Sequence, residues 1–210
     1  MKKTQKVLFR HDFELSGGAL CLDFANTVSN RNLPLKRCDD LAQYSDLLAF
    51  ATQSRYFPLE RARELLAISR IEPGLTTRAM EDTRNLREAI YRTFSGYVGH
   101  RRATVEDLTL IRDVVIESWK HQRLAAAGRR YLWLTKQEKG VKLESVLWPI
   151  ASSAAELLTS DRLKNVRMCE AKTCAWLFLD DSRNHSRRWC DMKVCGNREK
   201  ARRHYRREHK

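Results

Sequence analysis

Residues 169–195 read CEAKTCAWLFLDDSRNHSRRWCDMKVC and carry the strongest structural signal in the chain. The cysteines form two close pairs with the spacing C-x4-C-x15-C-x4-C, and the insert between the pairs has the length of a hairpin. Two pairs that bend around one ion in this way are what a tetrahedral all-cysteine zinc site requires. The sequence therefore predicts one Zn²⁺ bound by four thiolates, which come from Cys169, Cys174, Cys190 and Cys195.

This zinc site is predicted to be structural rather than catalytic. Four thiolates leave no open coordination position for a water molecule. A module this small cannot hold a core without its metal, and zinc supplies an apparent ~10–16 kcal/mol in comparable finger peptides. The alternatives, four unconnected core cysteines or two disulfides, are disfavoured because four of the six cysteines fall within 27 residues.

The residues around the cysteines indicate the order of elements in this module. Residues 175–179, AWLFL, favour a strand, and residues 180–184 favour a turn. The chain from 192 to 208 favours a helix that places Cys195 in its first turn, where the helix dipole favours a thiolate. A knuckle, a hairpin and a second knuckle at a helix start are the layout of a treble-clef-like zinc module.

Positive charge is concentrated in the same part of the chain. The 210 residues have a formal charge of +14, and residues 182–210 alone contain 11 Lys or Arg against 3 Asp or Glu. A concentrated basic end is the electrostatic footprint of a phosphate-binding surface. We expect ten cationic side chains to contact nucleic acid: Arg183, Arg187, Arg188, Lys193, Arg198, Lys200, Arg202, Arg203, Arg206 and Arg207.

Double-stranded DNA is the partner that the basic helix favours. A helix can enter the major groove, where Arg can bond guanine edges while flanking cations neutralise phosphates. Because one short helix reads few base pairs, the sequence predicts a homodimer or a partner that extends the site. Three alternatives stay open: a solvated basic helix without a specific partner, an RNA-binding protein, and an adaptor whose finger binds another protein.

The sequence divides into a larger helical domain, residues 1–160, and the zinc module, residues 161–210. The fold class is therefore predicted to be mainly α, with one or two short strands in the first domain. Apolar residues recur at helical spacing. Helices are predicted over residues 19–30, 40–52, 59–69, from 76 onward, from 105 onward and over 144–159.

Other local signals in the first domain are weaker. Residues 7–15 and 130–135 favour extended structure, and residues 125–128 favour a break between elements. Thr104 lies three residues before Asp107, which resembles a helix cap. Trp119, Trp133 and Trp148 are predicted to be core or interface aromatics.

A polar group near the start of the chain predicts a small-molecule effector pocket. Asp23, Asn26 and Thr27 lie beside an otherwise apolar helix that follows two glycines, and Arg87 on a long helix could face them. Such a pocket is what an effector-controlled regulator needs. The alternative is that Asp23 and Asn26 hydrogen-bond to neighbouring backbone and fix the helix in place.

Several function classes are disfavoured by what the sequence lacks. The basic start is not followed by the apolar core of a signal peptide, and the most apolar later stretch, residues 146–158, is too short to span a bilayer. The sequence therefore predicts a cytoplasmic protein. No Ser-His-Asp order, paired catalytic carboxylates or glycine-rich phosphate loop emerges, so an enzyme is not expected.

Residues 195–198, CGNR, with RRWC before them and KARR after them, closely resemble the CGNR zinc finger. The motifs FLD at 178–180 and SRN at 182–184 also match that finger, and Ala175 stands where a small residue, often Gly, is expected. Upstream, the chain resembles the ABATE domain in three motifs: LCLDFANT at 20–27, LREAIY at 86–91 and ASSAAELL at 151–158. The resemblance implies a bacterial, stress-induced transcription regulator whose finger binds DNA and whose larger domain senses or assembles.

Overall fold

The computed structural model describes residues 12–135 and 142–208, without the side chains of Thr135 and Arg203. These residues contain seven α-helices. The six in the N-terminal part are α1 Leu20–Ala25, α2 Tyr44–Gln53, α3 Leu59–Ile71, α4 Pro73–Val98, α5 Val105–Lys120 and α6 Trp148–Leu158. Short 3-10 helices lie at Pro34–Lys36, Leu143–Leu147 and Asp161–Asn165. Near the end, a π-helical turn over Met192–Gly196 runs into α7, Asn197–Glu208.

The strands of the described residues form three antiparallel pairs. They are β1 Val28–Ser29 with β2 Cys38–Asp39, β3 Gln122–Ala127 with β4 Arg130–Thr135, and β5 Val166–Met168 with β6 Leu177–Leu179. The mainly α fold with short antiparallel strands and a C-terminal helix is thus confirmed, but the C-terminal hairpin pairs β6 with β5, before Cys169, and not with a second strand of the insert between the cysteine pairs. The predicted break at 125–128 is wrong, because these residues continue β3 and turn through Gly128, whose φ is +62°.

Helix boundaries follow the caps that the side chains provide. Thr104 accepts a hydrogen bond from the amide of Asp107 and starts α5, as the sequence indicates. By contrast, α2 begins at Tyr44 with a capping box of Gln43 and Asp46 rather than at residue 40. Asp39 is unavailable as the cap because it lies in β2 and forms an ion pair with Arg87.

The predicted helix over residues 19–30 is much shorter in the structure. It ends at Ala25, because Asn26 terminates it and the chain continues into β1. The predicted extended segment 7–15 lies partly outside the described residues, and its described part, from 12 onward, forms no strand. The predicted helix over 144–159 is divided, since a 3-10 turn precedes α6 and Pro149 occupies the first turn of α6.

The main hydrophobic core surrounds α4, the longest helix. This helix of 26 residues packs against α1, α2, α3 and α5, while α6 packs on α1 and α5. Aromatic side chains fill the centre: the ring of Phe50 lies 5.5 Å from that of Phe13 and 5.8 Å from that of Phe24. Trp148 is buried and stacks on His121, whereas Trp119 and Trp133 are exposed.

The core does not end at the predicted domain boundary near residue 160. Val166, Leu177 and Leu179, from β5 and β6, are buried in the main core, and both strands pack against α4. The side chain between them, Phe178, is buried in a second, smaller cluster with the four cysteines. Strand β6 therefore forms a wall that the two cores share.

Candidate metal centre and nucleic-acid surface

The four cysteines predicted as metal ligands are buried together. Their Sγ atoms all lie within 4.8 Å of one another, and the Cys174–Cys190 and Cys190–Cys195 sulfur pairs are each 3.6 Å apart. Four thiolates at tetrahedral corners, about 2.3 Å from one Zn²⁺, lie about 3.8 Å apart. The donor set and its spacing therefore fit one zinc ion.

Backbone hydrogen bonds shape the two knuckles. In the first, the amide of Cys169 donates to the carbonyl of Trp176 and that of Cys174 donates to Ala171. Ala175 follows in the left-handed region, with φ +59°, which explains why this position favours glycine. In the second, the amide of Cys195 donates to the carbonyl of Asp191, whose side chain caps the turn.

The four clustered sulfur atoms need a cation among them if all four are to be ionised. Hydrogen bonds from Cys174 and Cys190 lower the pKa of Cys169 to about 2, while the same contacts raise the pKa of both donors. Sulfurs this close cannot all ionise unless positive charge is placed among them. A Zn²⁺ ion bound by these four residues supplies that charge and a rigid link between the knuckles.

Arg198, one of the predicted DNA contacts, lies against the sulfur cluster. Its Nη2 donates to Sγ of Cys195 at 3.0 Å. Burial alone would lower the pKa of Arg198, but the hydrogen bond to Cys195 and the nearby thiolate charge raise it above the ordinary value. Hydrogen bonds of this kind orient metal ligands and stabilise their charge. In the structure, Arg198 therefore supports the metal centre through its hydrogen bond to Cys195.

Arg187 is also used inside the finger. Its guanidinium donates to the carbonyls of Trp189, Ser16 and Cys190 and lies 4.5 Å above the ring centre of Phe178. These bonds join the hairpin to the second knuckle and to the segment before α1. Since its donors are occupied by backbone acceptors, Arg187 braces the fold.

Two more of the ten predicted cations have acidic partners. The Nε atom of Arg188 donates to Glu170 at 2.6 Å, and Nη1 of Arg202 donates to Glu199 at 2.9 Å. The side chain of Arg203 lies outside the described part of the chain. We call the remaining five, which are exposed and form no ion pair within the described residues, the free cations: Arg183, Lys193, Lys200, Arg206 and Arg207.

The residues predicted to line an effector pocket are engaged with protein groups. Asp23 accepts a hydrogen bond from the amide of Gly17 at 2.7 Å, and burial raises the pKa of Asp23 to about 6. Thr27 donates to the carbonyl of Phe24 and accepts a bond from Arg87. The effector pocket stays a prediction, and the described contacts are those of residues that fix the fold.

Arg87 is the largest fully buried side chain. It bonds both carboxylate oxygens of Asp39, at 2.6 and 2.5 Å. Burial alone would raise the pKa of Asp39, but the hydrogen bonds and charge of Arg87 lower it below the ordinary value. This ion pair ties α4 to β2, and removing Asp39 would leave the buried charge of Arg87 without its bidentate partner.

Asn26 joins the helical part of the chain to the finger. Its Nδ2 donates to the carbonyl of Leu177 and its Oδ1 accepts from the amide of the same residue, both at 2.8 Å. The side chain therefore acts as a further strand edge for β6. The sequence pattern places Asn26 in a predicted pocket and gives no sign of its bond to Leu177, because the two residues are 151 positions apart.

Other contacts between the helical part of the chain and the finger are also not indicated by any sequence pattern. The indole of Trp176 donates to the carbonyl of Val28, and the hydroxyl of Tyr91 donates to the carbonyl of Ala175. The amide of Leu179 donates to Gly17, and a Cβ on Gly18 would lie 3.3 Å from the Leu179 side chain. These bonds use backbone acceptors, whose partners a sequence pattern does not specify.

Family models match both parts of the chain. The ABATE model, described as "Putative stress-induced transcription regulator", matches residues 18–161, which is more than half of the chain. The chain belongs to the ABATE family. Behind the ABATE domain, a second model, the CGNR zinc finger, matches residues 165–208 and includes all four clustered cysteines. A search of curated proteins finds no match to this chain.

The two matched regions divide the elements of the chain between them, although β5 and β6 of the second region also complete the main hydrophobic core. The ABATE domain contains the helices α1 to α6, and the CGNR finger contains the shared strand β6, the metal centre and α7. Within the described residues, no helix combines the length and the apolar character needed to cross a bilayer.

Proposed function

We propose that this protein is a transcription regulator that binds double-stranded DNA through the free cations of its CGNR finger. The observation that supports it is a division among the basic side chains. Arg187, Arg188, Arg198 and Arg202 are bonded to the protein, whereas the five free cations are exposed and form no ion pair among the described residues. An exposed set of unpaired cations on a metal-braced module is suited to neutralising phosphates.

The position of α7 supports duplex DNA as the partner. Lys200 and Arg207 lie seven residues apart, which is two helical turns or about 10 Å, and so they project from the same side of the helix. His204 lies between them, and these three residues line a surface depression together with Glu208, which pairs with His204. A helix about 10–12 Å wide fits the major groove of B-DNA, which is about 12 Å wide.

The zinc site has an indirect part in this function. Cys169, Cys174, Cys190 and Cys195 would hold the ion, and Cys195 lies in the turn that runs into α7. Ligation therefore fixes the direction in which α7 leaves the finger. The cations on the helix are then presented as one rigid surface, which lowers the entropy lost on binding.

Fluorescence anisotropy with a labelled random-sequence duplex, repeated over a series of salt concentrations, tests the proposal. Arg206→Gln with Arg207→Gln removes two free cations. Arg70→Gln with Arg78→Gln, two exposed arginines of the ABATE domain, is the matched control of equal charge. Each phosphate contact contributes about 0.9 to the slope of log affinity against log salt, so the first pair should lower the slope by about 2 and the control by none.

Two results would contradict the proposal. One is a wild-type protein with no salt-dependent affinity for duplex DNA, and the other is an equal loss in both double variants, which would reflect net charge alone. A structured RNA of equal length is added as a competitor at the same salt. Displacement of the duplex by a lower concentration of RNA would favour RNA as the partner.

A further inference from the structure

The hairpin of β3 and β4 exposes an unusual amount of apolar surface. Tyr131 is 73% and Trp133 68% exposed, and three leucines of the same hairpin are exposed as well. A two-stranded hairpin is only marginally stable in water unless another surface covers it. Exposed apolar patches of this kind mark interaction sites.

The strand register sorts these residues into two faces. Leu124 pairs with Trp133 and Ala126 pairs with Tyr131, and because side chains alternate along a strand these four lie on one face. We call it the aromatic face. Arg123 and Arg130 fall on the opposite face of the hairpin, so the aromatic face carries no charged residue of either strand.

The composition of residues 122–135, QRLAAAGRRYLWLT, is that of a protein interface. The segment contains three Arg, three Leu, one Tyr and one Trp but no Lys, Asp or Glu. Interfaces between proteins are enriched in aromatic residues and Arg and depleted in Lys, Asp and Glu. A phosphate-binding surface would place its cations, rather than leucine and tryptophan, on the exposed face.

We propose that the aromatic face is a self-association surface, through which two copies of this chain form a dimer about a two-fold axis. Two aromatic side chains that are two-thirds exposed offer about 200–350 Å², and Leu124 adds about 100 Å². The exposed Trp119 stands three residues before β3 and adds about as much as one hairpin aromatic. Two copies together offer about 800–1,250 Å², a range that includes the ~1,000 Å² expected of a specific interface.

Charge is compatible with a second copy as the occupant. In an isologous contact the same patch meets itself, so a charged patch would oppose its own charge. Here the patches that meet are apolar, and Arg123 and Arg130 of both copies lie on the outer faces. The dimer is independent of DNA binding, because none of its residues belongs to the free cations, but it would place two CGNR fingers for two half-sites.

Sedimentation velocity over a wide range of protein concentrations tests the dimer. Tyr131→Ser with Trp133→Ser removes the two anchors of the aromatic face. Leu35→Ser with Ile71→Ser, two apolar residues that are exposed elsewhere, is the matched control. Wild type and control should sediment as dimers, while loss of two aromatic anchors should raise the dissociation constant at least about a hundredfold.

A second variant guards against local unfolding of the hairpin. Trp133→Arg keeps the strand but brings two charges together across the axis, and it should also give monomers with an unchanged circular dichroism spectrum. A wild-type protein that stays monomeric at every concentration would overturn the proposal, as would a dimer that survives the aromatic substitutions. The per-protomer salt slope for DNA should be unchanged in all of these variants, which separates this proposal from DNA binding.

Discussion

Two of the antiparallel strand pairs carry large apolar side chains and differ in their surroundings. β5 and β6 place Leu177, Phe178 and Leu179 in the interior, whereas β3 and β4 leave Tyr131 and Trp133 in solvent. The difference does not come from the strands, since both pairs are antiparallel and rich in large apolar residues. It comes from residues far away along the chain, such as Asn26, which bonds the backbone of β6 and has no counterpart at β4 among the described residues.

The buried hairpin also belongs to two units at once. Leu177 and Leu179 lie in the core of the ABATE domain, and Phe178 lies beside the cysteines of the CGNR finger. Because side chains alternate along a strand, one three-residue strand can complete two cores. A substitution that disturbs the packing on one face of β6 should therefore also destabilise the core on its other face.

The largest effect on stability should come from the loss of a zinc ligand in the CGNR finger, which contains β6 of the buried hairpin. Cys190→Ser should abolish stoichiometric zinc binding, since structural zinc supplies an apparent ~10–16 kcal/mol in finger peptides. The melting temperature of the ABATE domain should fall as well, because β6 is part of its core. Elemental analysis and thermal unfolding measure both quantities.

Cys38→Ser is the matched control for this prediction, because Cys38 is an exposed thiol away from the cluster. It should keep one equivalent of zinc and the wild-type melting temperature. Full zinc content in Cys190→Ser would contradict the assigned ligand set. Loss of zinc with an unchanged melting temperature would contradict the coupling of the two cores through β6.

One substitution made in each hairpin gives the sharpest form of the comparison. Leu177→Ala removes a fully buried side chain and should lower the free energy of unfolding by about 2–5 kcal/mol. Leu132→Ala, on the exposed hairpin and off the aromatic face, should change it by less than about 1 kcal/mol. Urea denaturation of both variants measures the difference, and equal losses would show that the two hairpins are equally packed.

The contribution of Asn26 should be somewhat smaller. Asn26→Ala leaves the amide and carbonyl of Leu177 buried without partners, which should cost about 2–4 kcal/mol. Asn32→Ala is its control, since the Asn32 amide makes a single exposed bond of 3.4 Å to Lys172. Denaturant unfolding should separate the two variants, and a loss in Asn26→Ala no greater than in Asn32→Ala would remove Asn26 from the junction.

The smallest expected effect concerns pH at Asp23, which holds the loop that bonds β6. The pKa of Asp23 is about 6 in the folded protein because of burial, against about 3.9 in an unfolded chain. The folded state therefore binds the proton more tightly, and its stability falls as pH rises from about 4 to about 6. Asp23→Asn should remove this pH-dependent loss of stability while keeping an acceptor for the amide of Gly17.

Unfolding measured from acidic to neutral pH, as the difference between wild type and Asp23→Asn, isolates this carboxylate from the other titrating groups. The difference should grow through the interval between the two pKa values and stay constant above it. Curves that run parallel at all pH values would show that Asp23 titrates in the same range in both states.

Sequence patterns were sufficient where the interacting residues are close together in the chain. The four zinc ligands fall within 27 residues, and their spacing alone determines how the pairs can meet. The cap at Thr104 was predicted for the same reason, since its partner is three residues away. Helix α7 followed from local composition and from its place after the second knuckle.

The patterns were not sufficient where the partner is distant or is a backbone group. Nothing near Asn26 indicates Leu177, and so a junction residue was interpreted as part of a pocket. Likewise the ten basic residues look equivalent in sequence, although Arg187 bonds carbonyls as far away as Ser16 and only part of the set is free. The apolar strand 130–135 was identified correctly, but its exposure depends on which other elements pack against it, and its own residues do not specify them.

The separation of Asn26 and Leu177 by 151 positions has a consequence for the protein during its synthesis. At about 5–20 residues per second, a ribosome makes Asn26 roughly 8–30 seconds before it makes Leu177. During that time β6 cannot pack against α1, and the face of the core that β6 later covers stays exposed to solvent. Folding of the first domain therefore finishes only after Leu177 has been made and has reached Asn26.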